Sequence, residues 1–235
     1  MTTKILHIET STEICSVALS LDNQCISIRE NTEGRSHATM LTPFIEEILT
    51  ETGITINNLN AVSISEGPGS YTGLRIGLST AKGLCYGAGI PLLAVSTLLA
   101  MSKGLADQYP GIEKDALLCP MIDARRMEVY TSIYTCSGKQ VKDVSAEVID
   151  ELSFIQYLKQ NKIYFFGNGA SKCKSVIKHP NASFIEHYVH SARYLIPDAL
   201  NAYERKQFVD VAYFEPFYLK DFIAGKPRNI LDSIT

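Results

Sequence analysis

Apolar and polar positions along the first half of the chain switch between a period of two and a period near 3.6, and the switches mark strands and helices. Residues 5–9 form a short apolar run, Thr10-Ser11-Thr12-Glu13 a polar turn, and residues 15–21 a second strand. Asp22-Asn23-Gln24 turns the chain into a third run at 25–29, which makes a meander. A helix is predicted over 37–52, with Ser36 as N-cap and Gly53 closing it. Met40, Phe44 and Ile48 line one row and Leu41, Ile45 and Leu49 the next, so its apolar stripe is wide; Pro43 lies inside the pattern as a candidate bend. An alternating run at 59–65 predicts a strand, Gly67-Pro68-Gly69 a tight turn, and residues 73–88 a helix. Residues 91–95 read as a buried strand, and Ser96 caps a helix to about 107.

Tyr109-Pro110-Gly111 is the best boundary signal, and after it the order begins again. Strands are predicted at 116–122, 127–134, 140–149 and 163–166, and helices at 152–159, 171–178 and 191–205. The first strand of each half ends in an acid, Glu9 or Asp123. The fold class that follows is α/β: two duplicated units, each a mixed sheet with flanking helices, over residues 1–108 and 109–235. The aromatic tail from about 213 onward needs a surface, and the first domain is the candidate. Two facing units of this kind make the actin-like, sugar-kinase-like (ribonuclease H-like) arrangement. There the turn after each first strand grips phosphate and an acid handles the metal. On pattern alone an unrelated pair of α/β units fits as well.

The helix at 73–88 carries Gly73, Gly77, Gly83 and Gly87. Each interior glycine costs about 1 kcal/mol relative to alanine, so a compensating role is expected. Gly73, Gly77 and Ala81 fall on one side, where another backbone can approach closely. With Leu74 and Leu84 flanking, and with Met40, Leu41, Phe44 and Ile48 on the preceding helix, they form a candidate partner interface for helix–helix packing.

Composition narrows the classes. The chain has 235 residues and a formal net charge of -3, which argues against a protein that holds nucleic acid by its own field. Arg125-Arg126 and Lys172, Lys174 and Lys178 read as solvated surface. The six cysteines lack paired spacing, so reduced thiols are expected, although Cys15 and Cys25 sit where a hairpin brings residues opposite. The start Met1-Thr2-Thr3-Lys4 lacks a signal-peptide pattern, and no apolar run reaches a membrane span; a cytoplasmic protein is expected.

Candidate chemistry is sparse. The Gly67-x-Gly69-x-x-x-Gly73 spacing fits neither the dinucleotide fingerprint nor the P-loop. Thr10, Ser11 and Thr12, with Asp123 and Arg125 across a cleft, make a candidate nucleotide pocket in degenerate form; ordinary turn chemistry of short hydroxyls is the competing reading. His187 and His190 read as a surface pair, His37 as surface or interface, and no Ser/His/Asp set can be assembled. No residue is assigned a catalytic role and none a metal.

Ile8-Glu9-Thr10-Ser11-Thr12, the run from Gly67 through Gly73 to Gly77, Ile122-Asp123-Ala124-Arg125-Arg126-Met127-Glu128, and Pro216-Phe217-Tyr218-Leu219-Lys220 resemble the bacterial TsaB (YeaZ) family. The resemblance implies the actin-like ATPase fold and a non-catalytic partner subunit required to make threonylcarbamoyladenosine next to the tRNA anticodon. The implied partners are a homologous catalytic subunit, TsaD, met on the helical face above, and the P-loop ATPase TsaE. Further implications are a homodimer when alone, tRNA met only through the complex, no membrane, and no cofactor held by the chain alone, with ATP or ADP left to an interface of the complex. The catalytic relative's two metal-binding histidines correspond to Thr97 and Met101, which are not credible ligands. Glu9 departs from the family's usual Asp. The alternative from a different class is a stand-alone ATP-dependent transferase or kinase.

Overall fold

The architecture comes from a computed structural model that describes residues 2–32 and 37–219. The first half contains β1 (Lys4–Glu9), β2 (Cys15–Leu21), β3 (Gln24–Asn31), α1 (His37–Thr52), β4 (Ala61–Gly67), α2 (Tyr71–Ala88), β5 (Leu92–Ser96) and α3 (Thr97–Gln108). The second contains β6 (Leu117–Asp123), β7 (Glu128–Thr135), β8 (Gln140–Val148), α4 (Ile155–Leu158), β9 (Ile163–Phe166), α5 (Ala170–Cys173), β10 (Ala182–Ile185) and α6 (Ile196–Glu204). The described residues form two five-stranded sheets, ordered β3-β2-β1-β4-β5 and β10-β9-β6-β7-β8. In each, the first strand of the half is central, antiparallel to the next strand and parallel to the strand after the crossover helix. The two orders are one topology used twice.

Alternation along β1 assigns its two faces. Leu6 and Ile8 join the core under α1 and α2 with Val17, Val62, Ile64, Phe44, Ile48 and Leu78. Ile5 faces the other way and packs with Leu93, Val95, Leu195 and Ala199. A strand buried on both faces reads as a continuous apolar run, which is why β1 is legible.

The last helix of each half lies between the sheets. Leu98, Met101 and Leu105 of α3 pack on Leu118, Ile122, Tyr134 and Phe166 of the second sheet. Conversely α6, and the 3-10 turn Ala192–Leu195 before it, pack on the first sheet. Lys103 of α3 joins Asp198 of α6 at 2.6 Å.

Several expectations are corrected. The helix expected at 152–159 shrinks to α4, because Phe154 takes a left-handed conformation at φ 63° and Leu152 stays 73% exposed. The one expected at 171–178 shrinks to α5, and β10 appears where no strand was expected. The tail docks only in part: Phe217 N–H donates to Glu66 O at 2.7 Å on the first half, whereas Tyr213 is 85% exposed. Cys15 lies opposite Asn31 and Cys25 opposite Ser20, and all six cysteines are free. Ser36 as a cap and Lys220 of the C-terminal motif lie outside the described residues. No described helix is long and apolar enough to cross a membrane.

Candidate functional site

The first turn, between β1 and β2, is bonded to the N-terminus of α2. Ser70 caps α2, its Oγ accepting from Gly73 N–H at 3.2 Å, and its own N–H donates to Ser11 O at 2.7 Å. Thr10 Oγ1 donates to Gly73 O at 2.8 Å. A Cβ on Gly69 would stand 2.4 Å from Ser11 O, one on Gly73 2.1 Å from Thr10 O, and one on Gly77 2.3 Å from Thr10 Oγ1. Glycine is required at these positions by this close approach. At the α2 N-terminus, Ser70 N–H is thus spent on the turn and Gly73 N–H on the Ser70 cap.

Gly73, Leu74, Gly77 and Ala81 are buried against the chain's own first turn and core, as are Leu41, Phe44 and Ile48. Met40 and Leu84 are partly buried on the same core. The outward face of α2 is instead Thr72, Arg75, Ser79, Gly83 and Tyr86, the last 86% exposed. Beside it an open groove of about 590 Å³ runs between Lys82, Gly83 and Tyr86 of α2 and residues 210–212.

At the end of β1, Glu9 is fully buried, and both carboxylate oxygens are engaged. Oε1 accepts from Ser11 N–H at 2.6 Å and from Ser11 Oγ; Oε2 accepts from Ser65 Oγ and pairs with His190 Nε2 at 2.8 Å. Burial alone would raise the Glu9 pKa. The charge and hydrogen bond of His190, with the bonds from Ser11 and Ser65, outweigh it and hold the carboxyl below its ordinary value. Tyr188 Oη lies 3.1 Å from His190 Nδ1. His190 is therefore a buried partner of the first-turn acid, not half of a surface pair with the exposed His187.

The second turn is built differently. Asp123 ends β6 in an exposed position; its carboxylate pairs with Lys172 Nζ and accepts from Arg125 N–H at 3.0 Å, while its own N–H donates to Asn168 Oδ1 at 3.0 Å. Arg125 and Arg126 are both left-handed, φ 70° and 49°. The two turns are thus separate networks: Thr10 and Ser11 meet α2 and Glu9, Asp123 and Arg125 meet Lys172, and Thr12 bonds Ile14 N–H and, through its carbonyl, His37 Nε2 at 2.9 Å. A metal-borne phosphate at the first turn does not fit this donor set, because every carboxylate oxygen is already bound. Thr97 is likewise engaged, accepting from Gly67 N–H at 3.1 Å, and Met101 is core. No group of three or more metal-binding side chains occurs among the described residues.

Sequence reasoning missed His190 and Ser65 as partners of Glu9. An acid in an otherwise apolar strand signals that a counter-group exists; it does not say which.

A mixed five-stranded sheet used twice, with crossover helices around it and a turn after each first strand, defines a duplicated α/β protein. The family described as TsaD, tRNA N6-adenosine threonylcarbamoyltransferase, matches residues 28–224. The chain is 32% identical to the tRNA threonylcarbamoyladenosine biosynthesis protein TsaB of Escherichia coli, over 95% of this chain and 97% of that protein. It is 30% identical to TsaB of Haemophilus influenzae, over 94% and 95% respectively. The structure of YeaZ from Pseudomonas aeruginosa superposes with a TM-score of 0.77 at 26% identity, covering 92% of this chain and all of that one. The chain belongs to the TsaB (YeaZ) family of tRNA threonylcarbamoyladenosine biosynthesis proteins.

Proposed function

We propose that the chain is the non-catalytic partner subunit of the cytoplasmic machinery that threonylcarbamoylates tRNA, pairing with a TsaD-like catalytic homologue that a TsaE-like ATPase joins. The observation that carries this reading is the closed first turn: Gly69, Gly73 and Gly77 press α2 onto Thr10 and Ser11, in the place where an acting member of the fold class would receive phosphate. A chain with that turn filled contributes surface rather than chemistry. The outward face of α2, with α1 beside it, is the surface we assign to the partner, and to a second copy when the partner is absent. tRNA is then met through the complex, in keeping with the net charge of -3, and ATP or ADP is left to a subunit interface.

The experiment is paired. Calorimetry with ATP and magnesium on the purified chain is expected to give no binding heat. Mixing the chain with a TsaD-like subunit, a TsaE-like ATPase, tRNA, ATP and an activated threonylcarbamoyl donor is expected to give threonylcarbamoyladenosine in the tRNA, which the same mixture without the chain does not make. A micromolar nucleotide site with turnover on the chain alone would overturn the reading in favour of a stand-alone transferase or kinase.

A further inference from the structure

The chain crosses between the sheets at the end of α3 and again at 186–192, and the two crossings are bonded together. Gln108 Nε2 donates to Val189 O at 2.6 Å and to Tyr194 Oη at 3.0 Å, and Ala192 N–H donates to Ser16 Oγ of β2 at 2.9 Å. His190 sits in the middle of this seam, 2% exposed, facing the fully buried Glu9. Its ring lies between those of Tyr188 and Tyr194, with centroids 6.2 Å and 6.5 Å away. Tyr188 in turn meets Phe166 of β9 edge-on at 4.9 Å. One line of contacts therefore runs from the central region of the first sheet to the second.

We infer that the buried Glu9–His190 contact is an internal latch that fixes the angle between the two halves. A buried carboxylate must be neutralised by something. Here a side chain from the far crossing meets that carboxylate, so the angle does not depend on a ligand. Parting the two leaves a buried polar group of each without its partner, which makes the open arrangement costly. The extra methylene of Glu over Asp has a purpose in this geometry, since an Asp carboxylate would retreat from the imidazole by about one carbon–carbon bond.

The test uses the full chain as Glu9→Gln, His190→Gln and the double variant, with urea midpoints, amide hydrogen exchange and small-angle scattering. Each single variant is expected to lose stability, and the double to lose no more than the worse single, the non-additivity of a coupled pair. Exchange at Ser11, at Gln108 and across 189–195 is expected to rise about tenfold in the singles while α1 stays protected, with a larger radius of gyration. Additive losses, or a uniform rise in exchange with an unchanged scattering profile, would overturn the latch. If His190→Gln does not fold, a folded double variant supports it and an unfolded double beside a folded Glu9→Gln overturns it.

Discussion

Gly77 of α2 faces Thr10 of the first turn so closely that a Cβ there would stand 2.3 Å from Thr10 Oγ1 and 3.5 Å from Ile8 Cγ2. The neighbours are a buried turn and a central strand, neither free to retreat. Gly77→Ala is therefore expected to cost about 2–3 kcal/mol by overpacking, against the roughly 1 kcal/mol that alanine returns as a better helix former. A lowered urea midpoint at unchanged slope would confirm it; equal or greater stability would show that α2 is not pressed on the turn.

His7 gives a pH dependence with a definite sign. Its ring is fully buried between Ser63 Oγ at 2.7 Å and Ser20 Oγ at 2.9 Å, and burial drives its pKa from 6.5 down to about 3. The unfolded chain takes up a proton below about 6.5 while the folded chain stays neutral until about 3. This contribution is whole above pH 6.5 and lost progressively as pH falls toward 3, on the order of 5 kcal/mol in all. His7→Gln removes the titration. Urea midpoints from pH 7 to pH 4 are expected to fall less steeply in the variant than in the parent, and parallel profiles would refute the assignment.

What was legible in the sequence was periodicity. β1 reads as a strand because both its faces are covered, and α1 because two apolar rows sit on its inner side. Where apolar residues do not obey burial, the reading overran: Leu152 is exposed and Phe154 breaks the helical conformation, so only α4 remains. Spacing correctly put Gly73, Gly77 and Ala81 on one side of α2, yet a face says nothing of what covers it, and the cover proved to be Thr10 and Ile8. The Glu9–His190 pair was invisible for a related reason. Side chains from opposite ends of the chain meet only through the exchange of α3 and α6 between the sheets, and pattern carries no record of that exchange.

Thr97 tests the turn from its other side. It is fully buried, and its Oγ1 accepts from Gly67 N–H at 3.1 Å. Thr97→Val keeps the shape and leaves that donor without a partner, an expected cost of about 1–3 kcal/mol. Thr97→Ser should recover most of it. If valine and serine destabilise equally, the methyl group rather than the hydrogen bond is what matters there.

The glycines of α2 divide into two kinds, and the second kind bears on the partner. Gly73 and Gly77 have an internal reason, whereas a Cβ on Gly83 or Gly87 would meet nothing within 4 Å. In the isolated chain Gly83→Ala should therefore stabilise by up to about 1 kcal/mol. Gly83→Leu should also fold, since its side chain points to open space beside the exposed Tyr86. If the outward face of α2 receives a helix of the catalytic homologue, that leucine stands where the two backbones approach. Affinity for the homologue should then fall about tenfold or more, near 1.4 kcal/mol or above, while the urea midpoint of the free chain holds or rises. Gly77→Leu cannot make this distinction, because it would disturb the fold itself. Co-elution and calorimetry of Gly83→Leu with the homologue at parental affinity would place the interface elsewhere and remove α2 from the proposed pairing.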